Sequence, residues 1–234
     1  MAFSQEEMRE NVQMIREKME AAARASGRSA GEVLLCAASK VQSAETVALA
    51  RELPIDLFGE NRVQELCQKY EAGAYGQKPV HMIGHLQTNK VRQTVGKAVV
   101  IESVDSLKLL QAIDAEAGKR GLRQDIFIEV NIAGEESKSG ASVEDAWRIL
   151  EAAQQCHSVC VRGLMSIPPI AEKSGQNRRY FAAMRQLFVD MAAKKYDNSN
   201  MVFLSMGMSG DFEDAILEGA NIVRVGTAIF GRRY

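Results

Sequence analysis

A lysine follows the first strand-like stretch of the chain, and its amine is a candidate nucleophile. Residues 33–38 are six apolar residues without a break, and Ser39 and Lys40 end the run. A short continuous apolar run predicts a strand that is buried on both faces, as in a parallel sheet. Lysine is rarely buried without a partner, and α/β folds place their chemistry at the carboxyl ends of such strands. Lys40 therefore either marks where the strand reaches water or presents a nucleophilic amine, and this stretch alone leaves both interpretations open.

Two segments near the C-terminus carry donors that suit an anion. Residues 204–211 form a loop rich in glycine and serine between a predicted strand and a predicted helix, and backbone N–H groups in such a loop can surround an anion. Arg224 lies between two valines of a predicted buried strand, where a guanidinium needs a partner or a ligand. Gly226 and Thr227 follow it and can donate further hydrogen bonds. Neither segment is a Walker motif, but together they predict a phosphate site.

The chain that must position these residues alternates between short apolar runs and helical patterns. Eight runs predict strands, at residues 33–38, 55–58, 80–84, 99–101, 125–132, 159–165, 201–204 and 222–225. A helix or helical turn follows each run, and an amphipathic helix over 4–24 precedes the first, with Ser4 and Glu7 in the positions of a capping box. Eight β/α units in 234 residues predict a single domain, residues 1–234, folded as a closed (β/α)8 TIM barrel; an open doubly wound sheet is the alternative.

Composition excludes several classes of function. The formal net charge of -1 gives no general electrostatic attraction to nucleic acid or to an anionic membrane. No apolar run approaches the roughly 20 residues of a membrane span, and the charged N-terminal stretch lacks a secretory core. The four cysteines predict reduced thiols in a cytoplasmic protein, and their spacing does not predict a metal site.

In a closed barrel of parallel strands, all carboxyl ends lie on one face. That face would collect Lys40, Asn61, His85, Asn131, Ser166, Ser205, Gly226 and Thr227. Singly, each has an ordinary role, such as a helix cap for Asn61. Strands 1 and 8 are neighbours in a barrel, so the lysine would face the phosphate donors. An amine that forms a Schiff base and loops that bind phosphate could together hold a phosphorylated aldehyde, for which pyridoxal 5′-phosphate is the candidate.

Longer motifs carry a family resemblance that spans almost the whole chain in order. They are the stretches at residues 38–40, 59–65, 81–90, 130–132, 137–140, 163–165, 204–209 and 223–231. With them the sequence resembles the pyridoxal phosphate homeostasis proteins, which are similar to the barrel domain of alanine racemase standing alone. One departure follows Lys40: the family often has a Lys/Thr-Pro pair, and this chain has Val41-Gln42-Ser43.

The resemblance implies a role for each matched residue of the cofactor site. Those residues are Lys40, Asn61, Ser205, Arg224, Gly226 and Thr227. Lys40 would carry the Schiff base and Asn61 would lie beside the ring, while the serine, glycine and threonine would bind the phosphate. Arg224 would face the pyridine nitrogen and favour its unprotonated form, which is a weak electron sink.

Three functions are compatible with such a site. The first is a protein that holds pyridoxal phosphate and passes it on, with apo-forms of cofactor-dependent enzymes as partners and with little or no turnover. The second is an amino-acid racemase, which needs a second base; in alanine racemase that base is a tyrosine from another domain of a partner subunit, for which we expect no room after Tyr234. The third, a Schiff-base aldolase, lacks a matching acid/base pair near a lysine on strand 6. We therefore expect a non-catalytic, monomeric carrier.

Overall fold

A closed parallel barrel forms the centre of the molecule. The computed structural model describes residues 3–135 and 138–231, so Ser137 of the 137–140 motif and Tyr234 lie outside the described residues. Within those ranges, eight parallel strands follow one another in chain order around the barrel. The first strand pairs with the second on one side and with the eighth on the other. The predicted (β/α)8 barrel is therefore confirmed, and the open sheet is excluded.

The strands and helices alternate along the chain. The strands are β1 Leu34–Ala38, β2 Leu57–Glu60, β3 Val80–Met82, β4 Val100–Val104, β5 Gln124–Glu129, β6 Val159–Met165, β7 Ser199–Ser205 and β8 Ile222–Val225. The helices are α1 Gln5–Ala25, α2 Ala44–Ala50, α3 Val63–Glu71, α4 Val91–Thr94, α5 Leu107–Lys119, α6 Val143–Ala153, α7 Arg178–Ala192, α8 Phe212–Leu217 and α9 Thr227–Phe230. Short 3-10 turns at Ala30–Glu32 and Thr88–Lys90 precede β1 and α4. This order places the carboxyl ends of all the strands on one face.

The N-terminal helix α1 begins at the predicted capping box. The backbone N–H of Glu7 donates to Ser4 Oγ at 3.2 Å, and Ser4 N donates to the Glu7 carboxylate at 2.7 Å. Both contacts satisfy backbone donors that the helix cannot pair itself. Its buried face includes Met8, Val12 and Met19 and packs on α8 and α9, so α1 lies outside the barrel against the helices that follow β7 and β8.

The barrel interior is filled rather than hollow. An apolar layer inside it consists of Cys36, Leu57, Val100, Phe127, Met165 and Ile222. Since side chains two residues apart share a face of a strand, Glu102, Glu129 and Arg224 lie on the same inner face, one step nearer the carboxyl ends. These three charged side chains form a polar layer inside the barrel.

Several strands differ from their predicted bounds: β3 ends at Met82 instead of 84, β5 ends at Glu129 instead of 132, and β7 is longer at both ends. The differences at β2 and β4 have a shared cause. The structure has β2 at Leu57–Glu60 instead of 55–58, because Ile55 N donates to Leu53 O in a turn after Pro54. It has β4 at Val100–Val104 instead of 99–101. In both cases the strand continues through a glutamate, Glu60 or Glu102, that is fully buried because other side chains pair with it.

Candidate functional site

A cavity of about 260 Å³ opens at the carboxyl ends of β1, β2 and β8. Five of the six predicted site residues line it: Lys40, Asn61, Arg224, Gly226 and Thr227. The loop after β7 contributes Met208, Ser209 and Gly210, and Ile83 and Ile167 supply apolar wall. The structure thus gathers residues from distant parts of the sequence around one space. An apolar lining with a few convergent polar groups is typical of small-molecule sites.

Lys40 enters this cavity from a tight turn at the end of β1. The preceding residue, Ser39, is fully buried, and its backbone N–H donates to Gly59 O on β2 at 3.0 Å. The N–H of Gln42 returns to Ser39 O at 3.1 Å and closes the turn. The half-buried Lys40 side chain therefore starts from a backbone that is fixed to its neighbouring strand.

The loop after β7 and the first residue of α9 form a wall rich in donors. Ser209 Oγ lies 3.2 Å from Thr227 Oγ1 and accepts the N–H of Gly226 at 3.4 Å. Gly207 lets the loop turn with φ +92°, and a Cβ there would lie 2.5 Å from the Cβ of Ala215. Hydroxyl and N–H groups from two loops thus converge on the same side of the cavity, which suits the oxygens of a phosphate.

Ser205, the sixth predicted residue, does not line the cavity. It is fully buried at the end of β7, where its hydroxyl donates to Glu102 Oε2 at 2.6 Å and accepts from Arg224 Nη1 at 2.6 Å. A hydroxyl already engaged by a carboxylate and a guanidinium has little capacity left for a phosphate. Ser209, which was not among the predicted site residues, does line the cavity.

Arg224 forms the floor of the cavity and is only 4% exposed. Its Nη2 donates to Ser166 O at 2.8 Å, and its Nη1 lies 4.0 Å from Glu102 Oε2. Glu102 in turn accepts from Ser205 and contacts His81 Nδ1 at 2.6 Å. The predicted need for a partner is met by this buried chain, which fixes the guanidinium in place.

The electrostatics of the polar layer follow from burial. Burial alone would raise the pKa of Glu102, but the hydrogen bond and charge of His81, with Arg224 and Ser205, hold the pKa of that carboxyl below its ordinary value. Glu129 lacks such contacts: burial and the charge of Asp105 raise its pKa to about 7, against the opposing effect of Arg224. The charged form is therefore favoured for the carboxylate beside the arginine and disfavoured for Glu129.

Asn61 presents an acceptor with no partner. Its Oδ1 is buried and makes no hydrogen bond within the described ranges, 3–135 and 138–231. Gly84 packs directly on it, since a Cβ at that glycine would lie 2.4 Å from Asn61 O. A buried amide oxygen that lines a cavity without a donor is a feature that a ligand donor would satisfy.

The other predicted strand-end residues lie elsewhere on the face. His85 lines a separate cleft, where its Nδ1 is 3.4 Å from Asp105 Oδ2. Asn131 donates to Glu135 O at 2.7 Å within its own loop. A larger cavity of about 530 Å³ lies beside α3 and the start of β3, lined by Tyr70, Lys78 and Lys97 among others, and shares no residue with the predicted site.

Three further features bear on the class of site. All four cysteines are free thiols. Among the described residues, no group of histidine, cysteine and carboxylate side chains is arranged to hold a metal ion. The described part of the chain also contains no helix with the length and hydropathy needed to cross a membrane.

Comparisons with known proteins agree with the fold. The family model of the alanine racemase N-terminal domain matches residues 4–233. A pyridoxal phosphate homeostasis protein of Aquifex aeolicus is 41% identical over 224 residues, which cover 96% of this chain and 97% of that protein. The crystal structure of an unknown protein from Bifidobacterium adolescentis has a TM-score of 0.90 and 35% identity, and the match covers 97% of this chain and 95% of that one.

A second solved structure is that of PipY from Synechococcus elongatus with pyridoxal phosphate bound. It is 33% identical with a TM-score of 0.79, and the match covers 86% of this chain and 93% of PipY. The matches extend over nearly the full length of these relatives. The chain therefore belongs to the pyridoxal phosphate homeostasis protein family, within the alanine racemase N-terminal domain fold.

Proposed function

We propose that this protein binds pyridoxal 5′-phosphate as a Schiff base on Lys40, holds it and passes it to apo-enzymes, with little or no turnover of its own. The observation that carries the proposal is the convergence of the Lys40 amine and the Ser209–Gly226–Thr227 donor wall on one cavity of about 260 Å³. Pyridoxal phosphate carries its aldehyde and its phosphate-bearing methylene on adjacent carbons of a ring, so an amine and a set of phosphate donors that share one cavity can hold both. The described relative PipY binds this compound in a related structure.

The residues present fit that group. The donor wall suits the phosphate, the aliphatic side chains of Ile83 and Ile167 suit the ring faces, and the unpaired Asn61 Oδ1 can accept a hydrogen bond from a ring substituent. When bound, the cofactor supplies an electrophilic aldehyde for the Lys40 amine. Arg224 lines the same cavity, and we propose that its guanidinium faces the ring nitrogen. The chain's own residues thus bind, orient and partly shield the group.

Two features of the site support storage over catalysis. A fixed guanidinium opposite the ring nitrogen disfavours its protonation, so that the ring is a poor electron sink. A racemase also needs a second acid/base group, and no tyrosine of the described residues lines the cavity. Tyr75, for example, is buried and donates to Glu60 Oε1 at 3.2 Å. We further propose that the carrier acts as a monomer in the cytoplasm, where its free thiols would stay reduced.

The test is a spectrum of the purified protein with pyridoxal phosphate, before and after borohydride, followed by mass mapping of the modified lysine. We expect one modified site at Lys40 and loss of the Schiff-base absorbance in Lys40→Ala. Lys90→Ala, which changes a lysine of the neighbouring 81–90 motif, is the matched control and should behave like the wild type. Modification of Lys90 or Lys138 in place of Lys40 would disprove the assignment.

A further inference from the structure

A buried cluster of charged side chains lies beside the cavity without lining it. Lys69 of α3 is 3% exposed, although lysine is among the residues least often buried. Its Nζ donates to Glu60 Oε1 at 2.8 Å and lies 3.5 Å from Glu65 Oε2. Tyr75 also donates to Glu60. Burying the Lys69 ammonium and the Glu60 carboxylate is costly. The remaining contacts of the cluster therefore indicate what it holds in place.

Those contacts reach the backbone on both sides of Lys40. Lys69 Nζ donates to Ser39 O at 2.8 Å, and the Ser39 hydroxyl donates to Glu60 Oε1 at 2.5 Å. On the other side, the N–H of Val41 donates to Glu65 Oε2 at 2.6 Å. The residue before Lys40 and the residue after it are therefore attached to the same buried cluster.

The backbone of Val41 needs such a restraint. Its φ is +60°, in the left-handed region that β-branched residues rarely adopt. Its side chain is 46% exposed, so packing does not compensate for the strain. A residue held in this conformation persists only where the surroundings over-determine it. At Val41 the short hydrogen bond to Glu65 and the 39–42 turn supply that restraint.

We infer that Glu65, oriented by Lys69, is a positioning residue that holds Val41 in its left-handed conformation and thereby directs Lys40 into the cavity. The inference rests on the proposed function of Lys40 but concerns a different part of the chain. Without the Glu65 contact, Val41 would relax toward negative φ. The turn would then open, and the Lys40 amine would spend less time facing the donor wall.

Two variants separate positioning from general stability. Glu65→Ala removes the acceptor, and we expect roughly tenfold or more weaker Schiff-base formation in a pyridoxal phosphate titration, the size of a lost charge-assisted hydrogen bond. Val41→Gly added to Glu65→Ala should restore most of that loss, because glycine adopts positive φ without strain. Glu71→Ala is the control, since Glu71 lies on the same helix but pairs with Lys97 at the surface. Thermal unfolding confirms that each variant is folded.

A second measurement needs no cofactor. Hydrogen exchange at the Val41 amide in the cofactor-free protein should be faster in Glu65→Ala and unchanged in Glu71→Ala. If wild-type protein modifies a lysine other than Lys40, the proposed function fails, while the exchange result still reports on the turn. Wild-type affinity in Glu65→Ala, unchanged exchange at Val41, or no rescue by Val41→Gly would each overturn the positioning role and leave the proposed function of Lys40 intact.

Discussion

Either Ser205 or Ser209 could be the serine that binds the phosphate, and substituting each of them distinguishes the two assignments. Ser209 lies in the cavity wall beside Gly226 and Thr227, whereas Ser205 lies beneath it between Glu102 and Arg224. Ser209→Ala would remove one hydrogen bond to a charged phosphate, a contribution of about 1.5–3 kcal/mol. At 1.4 kcal/mol per factor of ten, that corresponds to roughly 10- to 150-fold weaker binding of pyridoxal phosphate. Pyridoxal, which has no phosphate, should lose almost nothing.

The assay is a parallel absorbance titration with pyridoxal phosphate and with pyridoxal. In Ser209→Ala the affinity for pyridoxal phosphate, divided by the affinity for pyridoxal, should fall by the whole factor of roughly 10 to 150. In Ser205→Ala both ligands should weaken together, because the loss frees the Arg224 guanidinium and leaves the donor wall in place. If Ser205→Ala lowers the ratio and Ser209→Ala does not, the phosphate contacts Ser205 and the geometric argument is refuted.

Three further predictions follow from other residues of the site. Thr227→Val should weaken pyridoxal phosphate binding roughly tenfold or more, because it removes a hydroxyl that donates to the phosphate. Wild-type protein that binds pyridoxal as tightly as pyridoxal phosphate would contradict this prediction. The pKa of Glu129 is raised from 4.5 to about 7 in the folded protein, so the neutral carboxyl contributes to the free energy of unfolding at low pH. This contribution, on the order of 3 kcal/mol at most, is lost as the pH rises from about 4.5 to 7. Denaturant unfolding should therefore show Glu129→Gln gaining stability over the wild type across that range; parallel curves would contradict the burial argument. Finally, incubation of cofactor-loaded protein with L-alanine in D₂O should give no significant racemisation, whereas turnover near roughly 1 s⁻¹ would favour the racemase.

The barrel and most of the site could be predicted because both depend on local patterns. Apolar runs of strand length end at Lys40 and precede Gly226, and closure of eight such units brings the two ends together. The limits of β4 could not be predicted in the same way, because Glu102 and Ser103 resemble a strand end. Glu102 continues the strand because partners from β3, β7 and β8 satisfy it, and such long-range partners are not visible in a local pattern.

The choice between Ser205 and Ser209 shows a different limit. Both serines belong to one donor-rich stretch, and only the inward direction of β7 decides which hydroxyl is buried against Glu102. The alternation of Phe203 and Ser205 on one face was the available signal, since Phe203 packs against the apolar layer inside the barrel. The conformation of Val41 had no such signal, because left-handed backbone is not expected for a β-branched residue.

The seam between β1 and β8 explains why this cavity requires a closed barrel. Cys36 pairs with Arg224 and Ala37 with Val225, so the two strands run side by side to their carboxyl ends. At those ends Gly226 lies so close that a Cβ would approach Ala38 O to 3.1 Å. In an open sheet with the strands in chain order, the first and eighth would be separated by seven strand spacings of about 4.8 Å, roughly 34 Å in all. No small ligand could then contact Lys40 and Thr227 at once. Closure makes the amine and the donor wall neighbours, and the buried clusters on Glu60 and Glu102 hold each of them in place.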